Sequence, residues 1–189
     1  MQFTTSLFAA ALGLASTASA APLEIRQDTL LPFEVTGIVT SRPPGRPGST
    51  PWSFIRANVT DHNSYSFSQG PHNGIVPAGL QGINCEARWY RRESPEGRTW
   101  PCGSVEQGHF AMQVLPGTGG SAGVSSFKLK FIHGVEPGLP ISSVFASVEA
   151  IGSFESPVDL NGRCLSSGWC NYSLKPELKP ISIPATRTL

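Results

Sequence analysis

The amino-acid sequence predicts an all-β protein, a single-domain antiparallel β-barrel or sandwich of about ten short strands closed by two disulfides. Three observations carry that prediction. The 189 residues include 17 prolines and 20 glycines but only 14% charged residues, a composition suited to short strands joined by turns. Apolar residues recur with period two in short stretches, and none shows the 3.6-residue period of an amphipathic helix. Four cysteines, an even number, suit a disulfide framework formed in an oxidising compartment.

The ends of the chain set its address. The first twenty residues carry no charged side chain and end in Ala18-Ser19-Ala20, an apolar run with a small-x-small cleavage site that is too short to span a bilayer. Residues 1–20 therefore read as a signal peptide, and a secreted mature chain is expected to start at Ala21. Residues 21–32 form a leader without a strand pattern that need not be ordered, and 33–189 form the β domain. A mature chain of about 170 residues suits one domain that buries roughly 70% of its unfolded surface. No later apolar run has the length of a membrane span, and Thr186-Arg187-Thr188-Leu189 is not an apolar anchor tail. A formal net charge of +1 lacks the clustered positive excess of a nucleic-acid-binding domain. Neither a nucleic-acid partner nor a membrane span is expected.

In order along the chain, Phe33 to Val39 alternates, with Phe33, Val35 and Val39 on one face. Residues 41–51 are a proline- and glycine-rich loop without core-forming content. Trp52 to Val59 is a second strand whose pattern slips at Phe54-Ile55, as a bulge would cause. Tyr65 and Phe67 alternate with serines, and residues 69–82 read as another loop. His109 to Leu115 places Phe110, Met112 and Val114 together, while Phe127, Leu129 and Phe131 alternate with Lys128 and Lys130. Val144 to Ile151 is nearly continuously apolar, and Trp169 to Leu174 and Lys179 to Ile183 complete the set.

The middle of the chain, Cys85 to Cys102, reads as a disulfide-closed β-hairpin with its turn at Glu93-Ser94-Pro95-Glu96-Gly97. Four cysteines allow three pairings; the local ones, Cys85–Cys102 and Cys164–Cys170, are favoured because each pair brackets its own turn material. With the bridge on one face, alternation places Trp89 and Trp100 beside it and sends Arg88 and Tyr90 to the other face. Arg88, Tyr90, Arg91 and Arg92 then form the only concentrated cationic-aromatic patch in the sequence. Arginine offers planar bidentate donors and tyrosine a flat contact surface, so the patch suits anionic glycans, membrane headgroups or a host protein. An ordinary solvated loop tip would look the same. Asn58-Val59-Thr60 and Asn171-Tyr172-Ser173 are N-glycosylation sequons whose asparagines alternate away from apolar neighbours.

No catalytic, cofactor or metal constellation rises above background. Gly119-Gly120-Ser121-Ala122-Gly123 fits the nucleophile-elbow pattern, but that motif works only where a strand turns into a helix, and the flanks here read as strands. Only His133 follows as a base. Glu149, in an apolar strand, is the best single carboxylate for a raised pKa, although a buried Glu bonded to backbone, or one at a sheet edge, explains such a residue more simply. His62, His72, His109 and His133 show no metal-ligand spacing, and the cysteines form no zinc pattern.

The start of the mature chain, Ala21-Pro22-Leu23-Glu24 followed by Arg26-Gln27-Asp28-Thr29, is similar to that of the major Alternaria allergen. An early Phe-x-Val strand, Trp100 two residues before Cys102, and a second cysteine pair near the C-terminus extend the likeness. The chain thus resembles the family of secreted fungal β-barrel proteins grouped with that allergen. The resemblance implies a compact antiparallel barrel without enzymatic activity, acting as an allergen, elicitor or effector on a host plant. Leu30-Leu31-Pro32 holds no cysteine where the allergen has one associated with a covalent dimer, so any homodimer here would be non-covalent. Binding at a host surface is the expected function. A carrier of a small apolar ligand and an extracellular hydrolase are the alternatives.

Overall fold

The computed structural model describes residues 29–69, 72–103, 105, 107–136 and 146–188, so the expected signal peptide and residues 21–28 of the leader lie outside the described residues. Within them run β1 (Phe33–Arg42), β2 (Trp52–Asp61), β3 (Tyr65–Gln69), β4 (His72–Val76), β5 (Leu80–Tyr90), β6 (Thr99–Pro101) and β7 (His109–Leu115). There follow β8 (Ser126–Val135), β9 (Ala146–Glu155), β10 (Leu160–Cys164), β11 (Cys170–Leu174), β12 (Ile181–Ile183) and β13 (Ala185–Thr188). No α-helix occurs among the described residues; a 3-10 turn spans Pro176–Leu178. The protein is all-β and antiparallel, as the composition predicts.

The strands form two facing sheets and a separate β3–β4 hairpin. One sheet has the order β10-β11-β1-β2-β5, with β12 pairing the start of β1; the other has the order β13-β9-β8-β7-β6. Of the two architectures left open by the sequence, this is the sandwich. Alternation explains the layers: Phe33, Val35, Ile55, Ala57, Ala87 and Trp89 face inward from the first sheet. Phe110, Met112, Val114, Leu129, Phe131 and Val148 meet them from the second. Such rings and branched side chains each contribute about 1.5–3 kcal/mol when fully buried.

Local irregularities move some residues from their expected face. In β1 a bulge between Val35 and Gly37 reverses the pattern, so Ile38 and Thr40 are buried and Val39 is 49% exposed. The slip expected at Phe54-Ile55 is absent there. It lies instead between Ala57 and Val59, where Ile83 and Asn84 of β5 oppose Asn58 and Asn84 takes a positive φ of 53°. Residues 69–82, expected as a loop, supply β4 and the start of β5. β10 and β13 were not anticipated because Leu160–Cys164 carries one buried residue and Ala185–Thr188 none.

The largest correction concerns residues 85–102. Cys85 and Cys102 are bonded, as are Cys164 and Cys170. Yet β5 and β6 do not pair as a hairpin: β5 pairs β2 in the first sheet, and β6 pairs β7 in the second. The chain turns at Tyr90–Glu93, where the Glu93 amide donates to the Tyr90 carbonyl at 2.8 Å, and then crosses between the layers. Pro101 has no amide hydrogen to offer a ladder on both sides, which suits β6 to the sheet edge it occupies. The Cys85–Cys102 bridge therefore ties the edges of two sheets together, beside a backbone bond from Gly103 to the Ile83 carbonyl at 2.7 Å. The second bridge does close a hairpin, since Cys164 and Cys170 are direct partners in the β10–β11 ladder.

A cationic-aromatic cleft as candidate functional site

Alternation within β5 survives its change of partner. Cys85, Ala87 and Trp89 are buried, while Arg88 and Tyr90 are exposed on the outer face of the first sheet. Trp52 of β2 stands directly opposite Tyr90 in the ladder, and their rings meet edge to face with centroids 5.8 Å apart. The Arg88 guanidinium carbon lies 5.3 Å from the Trp52 ring centroid, a cation–π contact on an exposed face.

The loop between β1 and β2 forms the facing wall. Arg46-Pro47-Gly48-Ser49 is a β-turn closed by the Ser49 amide on the Arg46 carbonyl at 3.1 Å, with Pro47 setting φ and Gly48 at φ 82°. Arg91 holds this loop in place. Its Nη1 donates to the Gly45 carbonyl and its amide to the Pro51 carbonyl at 3.0 Å. Gly45 has φ 75°, a left-handed conformation that favours glycine, and a Cβ there would meet the Arg91 guanidinium. The result is an open cleft of about 470 Å³ between Tyr90, Arg91 and Arg92 on one side and Gly45, Arg46, Pro47, Gly48, Ser49 and Pro51 on the other.

Its charges have no carboxylate partner among the described residues. Elsewhere, Arg56 pairs with Glu86, Arg98 with Glu93, Lys130 with Glu149 at 2.7 Å, and His62 and His109 lie against Glu34 and Glu136. Among the described residues, Arg46, Arg88, Arg91 and Arg92 have no carboxylate partner. The structure thus brings together the four patch residues read from the sequence and adds Arg46 and Trp52. Arg46 was hidden because its loop carries no core pattern, and Trp52 because a strand tryptophan ordinarily points inward. It also separates roles, since Arg91 is a loop anchor whereas Arg92 is exposed at the cleft.

The other residues singled out in the sequence lie apart. Ser121 is exposed in the β7–β8 connection with no helix after it, and His133 sits near the far end of β8, buried against Asp61. A nucleophile elbow has neither its helix nor its base there. Glu149 is partnered by Lys130 on the outer face of the second sheet. Asn58 is half-buried and its Oδ1 accepts the Asn84 amide at 2.8 Å, whereas Asn171 is exposed and accepts from Trp169 Nε1 at 2.9 Å.

A second polar cluster, in the core, was not apparent from the sequence. Asp61 Oδ2 accepts from Tyr65 Oη at 2.6 Å and lies 2.7 Å from His133 Nδ1. Its Oδ1 accepts the backbone and side-chain N–H groups of Asn63 at 2.8 and 2.7 Å. Phe110 stacks on the His133 ring with centroids 4.1 Å apart, and Tyr65 meets it edge-on. Burial alone would raise the Asp61 pKa, but the bonds from His133, Tyr65 and Asn63 outweigh it and hold the group below its ordinary value. Tyr65 is pushed far upward, first by burial and then by the Asp61 charge. With an ionised Asp61, His133 donates from Nδ1; its Nε2 is buried without a hydrogen-bond partner among the described residues. Asn63 also bonds both backbone groups of Leu31, so the cluster pins the leader, β2, β3 and β8 to one point.

No family model, curated protein or solved structure matches the chain.

Proposed function

We propose that this is a secreted, non-enzymatic protein of the Alternaria allergen-like kind, acting on a host by surface binding through the cleft between Arg46 and Arg92. One observation carries the reading: Arg46, Arg91 and Arg92 gather at one concave site with no carboxylate partner among the described residues. Leaving like charges together and unanswered disfavours the free protein slightly, and an anionic partner would relieve it. Exposed Trp52 and Tyr90 add the flat contact area common at binding surfaces. The two disulfides are compatible with an extracellular protein and support secretion.

The test is a double variant, Arg46→Ala with Arg92→Ala, applied to host leaf tissue beside the parent protein. The variant is expected to melt as the parent does and to lose most of the defence response. A normally melting variant with full activity would remove the cleft from the function.

A further inference from the structure

Given a binding role for the cleft, its chemistry narrows the partner. We infer that the cleft and the adjoining outer face of the first sheet recognise an acidic oligosaccharide, a chain of sugar rings bearing carboxylates. Three features point there. Arg46 and Arg92 on opposite sides of the cleft present planar donor forks with no carboxylate partner among the described residues, the geometry that engages a carboxylate through two parallel bonds. Tyr90 lines the same cleft and Trp52 stands beside it, giving the apolar face of a sugar ring a flat surface between the cationic groups.

The outer face continues the site beyond the cleft. Arg88, Phe54, Ser41, Asn171 and Arg163 lie in one row across five strands, each a direct ladder partner of the next. Neighbours in such a row are about 4.8 Å apart, a spacing comparable to one pyranose unit. The row has a cation at each end, an aromatic ring next to Arg88, and hydroxyl and amide groups between. Cations at the two ends with a ring and polar groups between suit a linear glycan whose charges recur several units apart. A flat lipid headgroup layer would touch only the rims of the cleft and leave its concave floor unused. An acidic peptide would satisfy the arginines but has no need of the ring surfaces.

The experiment measures binding to protein expressed from the full chain by calorimetry, using a galacturonic-acid hexamer, its fully methyl-esterified form, a hexaglutamate peptide and anionic phosphatidylserine vesicles. The acid hexamer is expected to bind in a salt-weakened manner and the ester at least tenfold less tightly, since ester formation removes the charge. Arg92→Ala should weaken the hexamer about tenfold to a hundredfold, the effect of one lost charged hydrogen bond. Tyr90→Ala should weaken the hexamer and leave any hexaglutamate binding unchanged. Equal binding of acid and ester forms would overturn the inference, as would peptide or vesicles binding as tightly as the hexamer. If no oligosaccharide binds but Arg46→Ala with Arg92→Ala still abolishes the host response, the glycan assignment fails and the cleft reading stands. If the host response also persists, both fail.

Discussion

Charge is concentrated in two regions of this protein, and they are built in opposite ways. Around Asp61, one carboxylate is removed from water and given four donors, from His133, Tyr65 and twice from Asn63. Around the cleft, four arginines are left at the surface with no carboxylate among the described residues to answer them. The buried cluster is specified from within: removing one member strands the others in a low-dielectric setting. The cleft is unsaturated, and water supplies what the protein withholds. Satisfied polar groups in a core hold elements in register, whereas unsatisfied ones at a concave surface are available to a partner.

The comparison breaks first at Asp61. Asp61→Ala leaves the Tyr65 hydroxyl, the His133 ring and the Asn63 amide buried without their acceptor, and should lower stability by about 3–5 kcal/mol in denaturant titrations. A change under about 1 kcal/mol would mean that the cluster does not pin these elements together. Its pH signature has a definite sign. Because the folded-state pKa of Asp61 lies below the unfolded value of about 3.9, its stabilisation is fully present above about pH 5. It is lost as pH falls through the folded pKa. Melting temperature measured downward from pH 6 should therefore decline in acid, and Asp61→Asn should flatten part of that decline.

The disulfides give a smaller and unequal pair of effects. Loop-closure entropy predicts about 3 kcal/mol for the bridge of sequence separation 17 and about 2 kcal/mol for that of separation 6. Their placement widens the difference. Cys85 is fully buried where the two sheets meet, while Cys164 is exposed on an edge hairpin that its own ladder already holds. Replacing Cys85 and Cys102 by Ala should reduce stability clearly more than replacing Cys164 and Cys170, as read from chemical denaturation. Equal losses would contradict the assignment of the first bridge to the junction between sheets.

What the sequence revealed and hid follows from the range of each interaction. Alternation is local, so the inward Cys85, Ala87 and Trp89 and the outward Arg88 and Tyr90 were legible although the strand's partner was not. Pairing is not local. The hairpin reading of residues 85–102 fails because the chain leaves the first sheet after Tyr90 and β6 takes β7 of the second sheet as its partner, while β5 keeps β2. The bulges at Gly37 and Asn84 shifted faces for a reason visible only across two strands. Half of the cleft was likewise concealed: Arg46 is 45 residues before Arg91 in sequence, and a turn set by Pro47 and Gly48 brings them together. The Asp61–His133 contact spans 72 residues and has no periodic signal at all.

The smallest effects lie within the cleft itself and separate its two kinds of arginine. Arg92→Ala removes an exposed side chain with no hydrogen bond or ion pair among the described residues and should change stability by less than about 0.5 kcal/mol. Arg91→Ala also removes an exposed guanidinium, but one that donates to the Gly45 carbonyl and orders the loop of residues 43–51. A hydrogen bond of this kind contributes about 0.5–1.5 kcal/mol net, and surface exposure favours the low end. Global melting should therefore scarcely distinguish the two variants, whereas amide exchange in Arg46–Ser49 should accelerate in Arg91→Ala and not in Arg92→Ala. On partner binding the order changes in kind: Arg92→Ala loses a contact, while Arg91→Ala loosens the wall that carries Arg46. If exchange in the loop is the same in both variants, Arg91 is simply another surface cation, and the cleft is shaped by its proline and glycine turn alone.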